Sequence, residues 1–135
     1  MTRAADSSVT IAALLNDHPA HNIAAEALAA CKTTIAHVAI ETYSVLTRLP
    51  SRGRADATTA VTALDERLPL TYVTLDASSY AKTPGRLAAA GVSGGATYDG
   101  LIALTALEHD LELVSRDRRA ARSYRALGVR FTLLE

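Results

Sequence analysis

Two hydrophobic periods take turns along this chain. Short β-branched or apolar runs separate longer stretches whose apolar residues recur every three or four positions. The run Arg3-Ala4-Ala5 reads as a strand ending in the turn series Asp6-Ser7-Ser8, and Val9, Ala12, Ala13 and Leu15 then predict a short helix. Asp17-His18-Pro19 breaks that pattern, with Pro suited to a helix first turn. Residues 20–31 follow as an alanine-rich helix with Ile23, Ala24, Ala27 and Leu28 on one face. Thr33-Thr34-Ile35-Ala36 predicts a buried strand, and Val38, Val45, Leu46 and Leu49 predict a helix over 38–49. Pro50-Ser51-Arg52-Gly53-Arg54 is a loop, and 55–68 is a helix with Ala57, Val61 and Leu64 facing inward. A strand is expected over 70–75, and a helical stretch over 76–90 broken near Pro84-Gly85, where proline lacks a donor. After the glycine-rich 91–95, an amphipathic helix spans 97–108 through Leu101, Ala103, Leu104 and Leu107. A strand over 111–114, a helix over 118–127 ended by Gly128, and a strand over 129–133 complete the series.

Strands that alternate with helices imply crossover connections, hence a central, mainly parallel sheet of four or five short strands covered on both faces. The length of 135 residues predicts one domain over 1–135. An apolar share of 49% against 21% charged residues excludes a disordered chain. No apolar run approaches the roughly 18 residues of a membrane span, and Met1 to Asp6 is too polar for a signal peptide. One cysteine, Cys31, excludes an internal disulfide framework and a cysteine-rich zinc site. A reduced, cytoplasmic setting with no membrane partner is therefore expected.

Charge changes this picture only locally. Fourteen basic and fourteen acidic residues cancel. Between Ser115 and Arg130, however, Arg116, Arg118, Arg119, Arg122, Arg125 and Arg130 face the single acid Asp117. Arg48, Arg52 and Arg54 form a second group. A guanidinium fork binds two phosphate oxygens at once, so these clusters suit a phosphate backbone; an ordinary solvated helix face is the plainer reading of charge alone.

In an open parallel sheet, ligands sit beyond the carboxyl ends of the strands. Four acids fall there: Asp6 after the first strand, Glu41 early in the helix after the second, Asp99 in the first turn of the helix from Thr97, and Asp117 after the strand over 111–114. Each has a simple structural use. Asp6 and Asp117 could cap the helices that follow them, Asp99 could complement a helix N-terminus, and Glu41 could be a solvated helix residue. Together they imply more, because two carboxylates about 5 Å apart repel by roughly 3 kcal/mol at an effective dielectric of about 20. Gathering four calls for a cation or raised pKa values. Oxygen donors without Cys or paired His suit Mg2+ or Mn2+.

Asp6-Ser7-Ser8-Val9, Ile40-Glu41-Thr42, the run Tyr98-Asp99-Gly100-Leu101-Ile102-Ala103-Leu104-Thr105-Ala106, the segment Leu113-Val114-Ser115-Arg116-Asp117-Arg118-Arg119-Ala120 and the tail Tyr124-Arg125-Ala126-Leu127-Gly128-Val129 resemble the PIN-domain nucleases. Within them, the chain's size is similar to the VapC toxins of bacterial toxin–antitoxin (VapBC) pairs. The resemblance covers essentially the whole chain and rests on the order and spacing of four acids, not on one motif. It implies a PIN-like three-layer α/β/α fold. It implies that Asp6, Glu41, Asp99 and Asp117 are catalytic and hold one or two ions, Mg2+ or Mn2+, and that Ser8 orients the site. It further implies a toxin endoribonuclease in which a metal-activated water cleaves RNA, a VapB-type antitoxin partner, a homodimer and a toxin–antitoxin hetero-oligomer. Arg48, Arg52, Arg54, Arg116, Arg118 and Arg119 would then contact the RNA backbone. Two departures stand out: the first strand lacks the family's bulky aliphatic run, and His37 stands four residues before Glu41, where small hydroxyl residues are common.

The remaining polar residues suggest less. His18 and His21 are not at a tight helical pair spacing and fit helix-start packing, His37 and His109 fit hydrogen-bonded or solvated roles, and Cys31 fits a small buried hydrophobe. Ala12, Ala13, Leu14 and Leu15 could line an apolar groove, where the resemblance implies an antitoxin helix. Two other readings compete: a PIN-like domain that binds RNA or a partner without nuclease activity, and a nuclease of RNA processing without a toxin role. A receiver-like signalling domain fits poorly, because Lys32 and Lys82 do not follow suitable strands.

Overall fold

Every predicted strand becomes three or four residues of parallel backbone. In the computed structural model, which describes residues 1–49 and 56–135, these are β1 (Arg3–Ala5), β2 (Thr33–Ile35), β3 (Thr71–Val73), β4 (Glu112–Ser115) and β5 (Phe131–Leu133). Helices α1 (Ser7–Leu14), α2 (His21–Ala29), α3 (Ala36–Arg48), α4 (Ala57–Arg67), α5 (Ala77–Ala89), α6 (Thr97–Glu108) and α7 (Arg118–Leu127) connect them, with a 3-10 turn at Gly94–Ala96. The loop expected at Pro50–Arg54, with Arg52 and Arg54, lies outside the described residues.

The ladders fall into two sets. β4 is central to β1-β4-β5, with Ala4 opposite Leu113 and Val114 opposite Thr132, and β2 pairs with β3 through Thr34 and Tyr72. β1 also touches β2, so the chain leaves β1 toward one side of the sheet and returns to β4 on the other. The carboxyl ends of β1 and β4 therefore flank the point where strand order reverses, the position of ligand crevices in open α/β sheets.

Alternation along the strands covers both sheet faces. Ala4 and Leu113 point into a core with Ile102, Ala103 and Ala106 of α6 and Ala120 and Tyr124 of α7. Their neighbours Ala5 and Val114 point into the opposite core with Val9, Ala12, Ala24, Leu28 and Leu64 from α1, α2 and α4. This is the three-layer α/β/α arrangement. A buried Leu or Ile contributes about 1.5–3 kcal/mol, so the second core, rich in alanine, depends on close helix approach instead of large side chains. Ala12, Ala13 and Ala24 are fully buried where α1 meets α2. Of the stretch expected to line an apolar groove, Ala12 and Ala13 are buried in this core and Leu14 and Leu15 stay half-buried at its edge.

Local signals set several helix ends. Asp6, Asp56, Asp76 and Asp117 cap α1, α4, α5 and α7 through side-chain bonds to backbone N–H groups. Gly128 ends α7 at φ 78°, and the Val129 N–H reaches back to the Tyr124 carbonyl. The expected break at Pro84-Gly85 does not occur, since α5 runs through it. Proline costs that helix one hydrogen bond, but tertiary packing prevails. Leu87 is buried against α6, where a Cβ on Gly100 would collide with its Cδ2.

Candidate active site

The floor of the site is built where β1 and β4 end side by side. Asp6 is 2% exposed, and its Oδ1 accepts bonds from Ser8 Oγ at 2.6 Å, Ser8 N at 3.0 Å and Val9 N at 3.4 Å. Its Oδ2 accepts from the buried Tyr124 hydroxyl at 2.7 Å. Ser8 Oγ also accepts from the Arg116 N–H at 2.8 Å and lies 3.4 Å from Ser115 Oγ, which in turn accepts from Asp117 N at 3.0 Å. Asp117 Oδ1 accepts from Arg119 N and Ala120 N at the start of α7. The helix-capping use of Asp6 and Asp117 is thus observed, and the same bonds fix both carboxylates at adjoining strand ends.

Two helices supply the opposite wall. Glu41 stands on α3 and Asp99 in the first turn of α6, and both line one cavity of about 270 Å3 with Arg48 and Tyr98. Ser7 Oγ donates to Glu41 Oε2 at 3.0 Å. His37, one turn before Glu41, brings Nε2 within 2.7 Å of Glu41 Oε1 as an ion-pair contact, without the alignment of a hydrogen bond. Its ring stacks on Tyr98 with centroids 5.2 Å apart and planes 11° apart. The Asp99 side chain makes no hydrogen bond or ion pair among the described residues.

Electrostatics ties the two walls together. The Asp99 carboxyl is pushed up to about 6 by burial and then by the charges of Asp117, Asp6 and Glu41. Burial also pushes Asp6 upward, against the opposing pull of the Ser115, Ser8 and Tyr124 hydroxyls. Glu41 moves the other way: burial raises it, but the close His37 contact, the Ser7 bond and the charges of His37 and Arg48 outweigh that and hold it below the ordinary value. Burial and the neighbouring Asp6 push the Tyr124 hydroxyl well above the usual tyrosine range, so it donates to Asp6 as a neutral group.

The four acids chosen from sequence thus share one field, although not a finished ligand shell. Among the described residues, no three His, Cys, Asp or Glu side chains stand close enough to hold an ion as they are. The donor set nevertheless fits a hard divalent cation, because it is all carboxylate and hydroxyl oxygen and Asp99 carries uncompensated negative charge. Asp6, Glu41, Asp99 and Asp117 are the residues that would hold it.

A basic cleft lies beside this centre. Arg116, Arg118, Arg119, Arg122 and Arg125 line a cavity of about 660 Å3 with the chain end, Leu133 to Glu135. None of the five makes an ion pair among the described residues, and Arg116 Nε is buried without a partner. Arg48 sits instead on the carboxylate cavity. His18 and His21 hold the turn between α1 and α2 through Ala20 N and the Ala12 carbonyl, and Cys31 is a buried free thiol.

Sequence reasoning missed Ser115, Tyr124, Tyr98 and the Glu41 contact of His37. Tyr124 offered one usable signal: it follows Asp117 by seven residues, two helical turns, on the inward face of the same helix. A phenol buried there needs an acceptor.

Residues 4–126 match the PIN domain family. The chain belongs to the PIN-domain family. Within it, the relatives are VapC proteins. The chain is 40% identical over 131 residues to Ribonuclease VapC40 of Mycobacterium tuberculosis, covering 97% of this chain and 98% of that one. It is 39% identical over 127 residues to Ribonuclease VapC27 of the same species, covering 93% and 92%. Among solved structures, the VapBC2 complex of Rickettsia felis bound to a DNA fragment from their promoter matches over 100% of both chains, with a TM-score of 0.68 and 19% identity. At that identity the likeness is one of fold.

Proposed function

We propose that this chain, one PIN domain over residues 1–135, is the toxin endoribonuclease of a VapBC-type pair. It hydrolyses RNA phosphodiester bonds at Asp6, Glu41, Asp99 and Asp117, with Mg2+ or Mn2+ as cofactor. The observation that carries this reading is the meeting of all four carboxylates in one field at the strand-order reversal, centred on Asp99. The names of its relatives, ribonucleases of the VapC type, support the substrate class.

In this reading Asp6 and Asp99 ligate directly, and Glu41 and Asp117 bind or position the attacking water. When bound, the divalent ion supplies charge neutralisation at the phosphate and a water acidified toward neutral pH. Ser8 keeps Asp6 Oδ1 oriented and also accepts from the Arg116 N–H, so it links the ends of β1 and β4. Tyr124 keeps the Asp6 carboxylate turned by its bond to Oδ2. Arg48 meets the substrate phosphate on the side of Glu41, and Arg116, Arg118 and Arg119, with Arg52 and Arg54 from the sequence, track the strand. Contacts of that kind give affinity without sequence choice. An antitoxin of the VapB type, a homodimer and a cytoplasmic setting complete the proposal. No described helix is long and apolar enough to cross a membrane.

The test is regulated expression together with an RNA cleavage assay. Wild type is expected to arrest growth and to cut RNA only with Mg2+ or Mn2+, and Asp99→Ala to do neither. Full metal-dependent cleavage by Asp6→Asn or Asp99→Asn would refute the assigned roles. RNA binding without cleavage by wild type would favour the binding-domain reading instead.

A further inference from the structure

Tyr98 belongs to two cavities at once. It lines the carboxylate cavity with Glu41, Asp99 and Arg48, and it also lines an adjoining cavity of about 450 Å3 between α5 and α6. The second cavity is walled by Pro84, Leu87, Val92 and Leu101, with Ser93 and Thr97 also in its lining. Tyr98 is 59% exposed although His37 covers one face of its ring. A large exposed aromatic held flat by a second ring, next to a charged centre, has a geometry that packing alone does not require. The core is satisfied without it, since Leu75, Leu87, Leu101 and Leu104 form the buried cluster beneath this cavity.

We infer that Tyr98 is a stacking platform for a nucleobase adjoining the scissile phosphate, and that the apolar cavity between α5 and α6 receives that base. The inference rests on the RNA-cleaving reading above. Its physical basis is continuity. A nucleotide is a phosphate joined to an apolar-faced ring, and here a carboxylate and arginine compartment opens past one tyrosine into an apolar compartment. With the phosphate between Asp99 and Arg48, the base is carried toward Tyr98. Stacking accepts any base, while Thr97 and Ser93 in the lining are polar side chains that can prefer one. His37 is a positioning residue in this scheme: it touches Glu41 on one side and stacks under the platform on the other. With six aromatic residues in the chain, stacking on a long strand is not available, but one base at one place needs only one ring.

The experiment uses full-length protein and a single-stranded RNA whose cleavage position has been mapped with wild type. Tyr98→Ala is expected to raise KM about tenfold with kcat within about twofold, and Tyr98→Phe and Tyr98→Trp to stay near wild type. An abasic nucleotide beside the cleaved bond is expected to produce the same loss in wild type and no further loss in Tyr98→Ala, since both remove one interaction. A fall in kcat alone, or additive losses, would overturn the platform. So would a change of oligomeric state in Tyr98→Ala with RNA parameters unchanged, which would make the cavity a protein interface. A binding measurement separates this inference from the cleavage reading. The same RNA carrying 2-aminopurine at that position should be quenched by wild type without metal and not by Tyr98→Ala. Quenching without any cleavage would sink the nuclease reading and keep the platform, and cleavage without quenching would do the reverse.

Discussion

The two walls of the acidic site are built on opposite principles. The floor, at the ends of β1 and β4, is saturated: both Asp6 oxygens accept bonds, and Ser8, Ser115 and Tyr124 join two strands and a helix. The facing wall is satisfied only on α3, where Glu41 accepts from Ser7 and contacts His37; Asp99 on α6 is unpaired among the described residues and raised by its neighbours, beside an exposed Tyr98. One wall is held by hydrogen bonds formed in folding, and the other keeps its charge for something that arrives later. The same residue type thus does structural work at Asp6 and stores unfavourable charge at Asp99.

Removing each carboxylate gives the sharpest contrast. Asp6→Ala and Asp99→Ala should each lower metal-dependent RNA cleavage by at least about a hundredfold, because a metal ligand supports several kcal/mol of transition-state stabilisation. Their thermal unfolding should diverge. Asp6→Ala leaves a buried phenol and two helix N–H groups without acceptors and should cost about 1–3 kcal/mol. Asp99→Ala removes like-charge repulsion and should raise the metal-free Tm. Equal Tm changes in calorimetry would erase the distinction between the walls.

Tyr124→Phe tests the floor alone. It deletes one hydroxyl that holds Asp6, and losses of about 10–100-fold in metal affinity or activity are expected for such a supporting group. Titration calorimetry with Mn2+ would measure it, and an unchanged affinity would mean that Ser8 suffices to orient Asp6.

pH tests the facing wall. The folded-state pKa of Asp99 is raised from 3.8 to about 6, so its contribution favours the folded state at low pH and is lost as pH rises through about 6. Asp6 acts in the same direction. Glu41 is lowered, so its contribution is present above its ordinary 4.5 and lost only on further acidification. Between pH 5 and 7, then, the metal-free Tm should fall, and Mg2+ or Mn2+ should restore it at pH 7 while doing little at pH 5, about a unit below the Asp99 pKa. A metal-free Tm that climbs over this range would contradict the raised Asp99 carboxyl.

The smallest expected effect lies outside both walls. Single changes to Ala at Arg118, Arg119, Arg122 or Arg125 should weaken RNA binding without moving the cleavage position. Each arginine that pairs with a phosphate should, when removed, reduce the salt slope by about one. Binding measured across a salt series checks this. An unchanged slope would leave the basic cleft without a role in RNA affinity.

Much of this molecule is legible in its sequence because the signals are local. The two hydrophobic periods mark every strand and helix, Asp6 and Asp117 stand where caps are needed, and Gly128 stops α7 because it can take a positive φ. Four acids placed after strands or early in helices point to one edge of a parallel sheet, since crossover handedness leaves few alternatives. Tertiary structure decided the rest. Whether α5 breaks at Pro84 depended on Leu87 seating over Gly100 across the gap to α6. Whether the second oxygen of Asp6 would be free or tied depended on a phenol 118 residues away. That His37 would join Glu41 to Tyr98 depended on how α3 meets α6. Propensity and capping act within a turn or two of chain, so sequence reports them directly. A buried polar group takes whichever partner the packed layers bring to it, and only the assembled sheet supplies that partner.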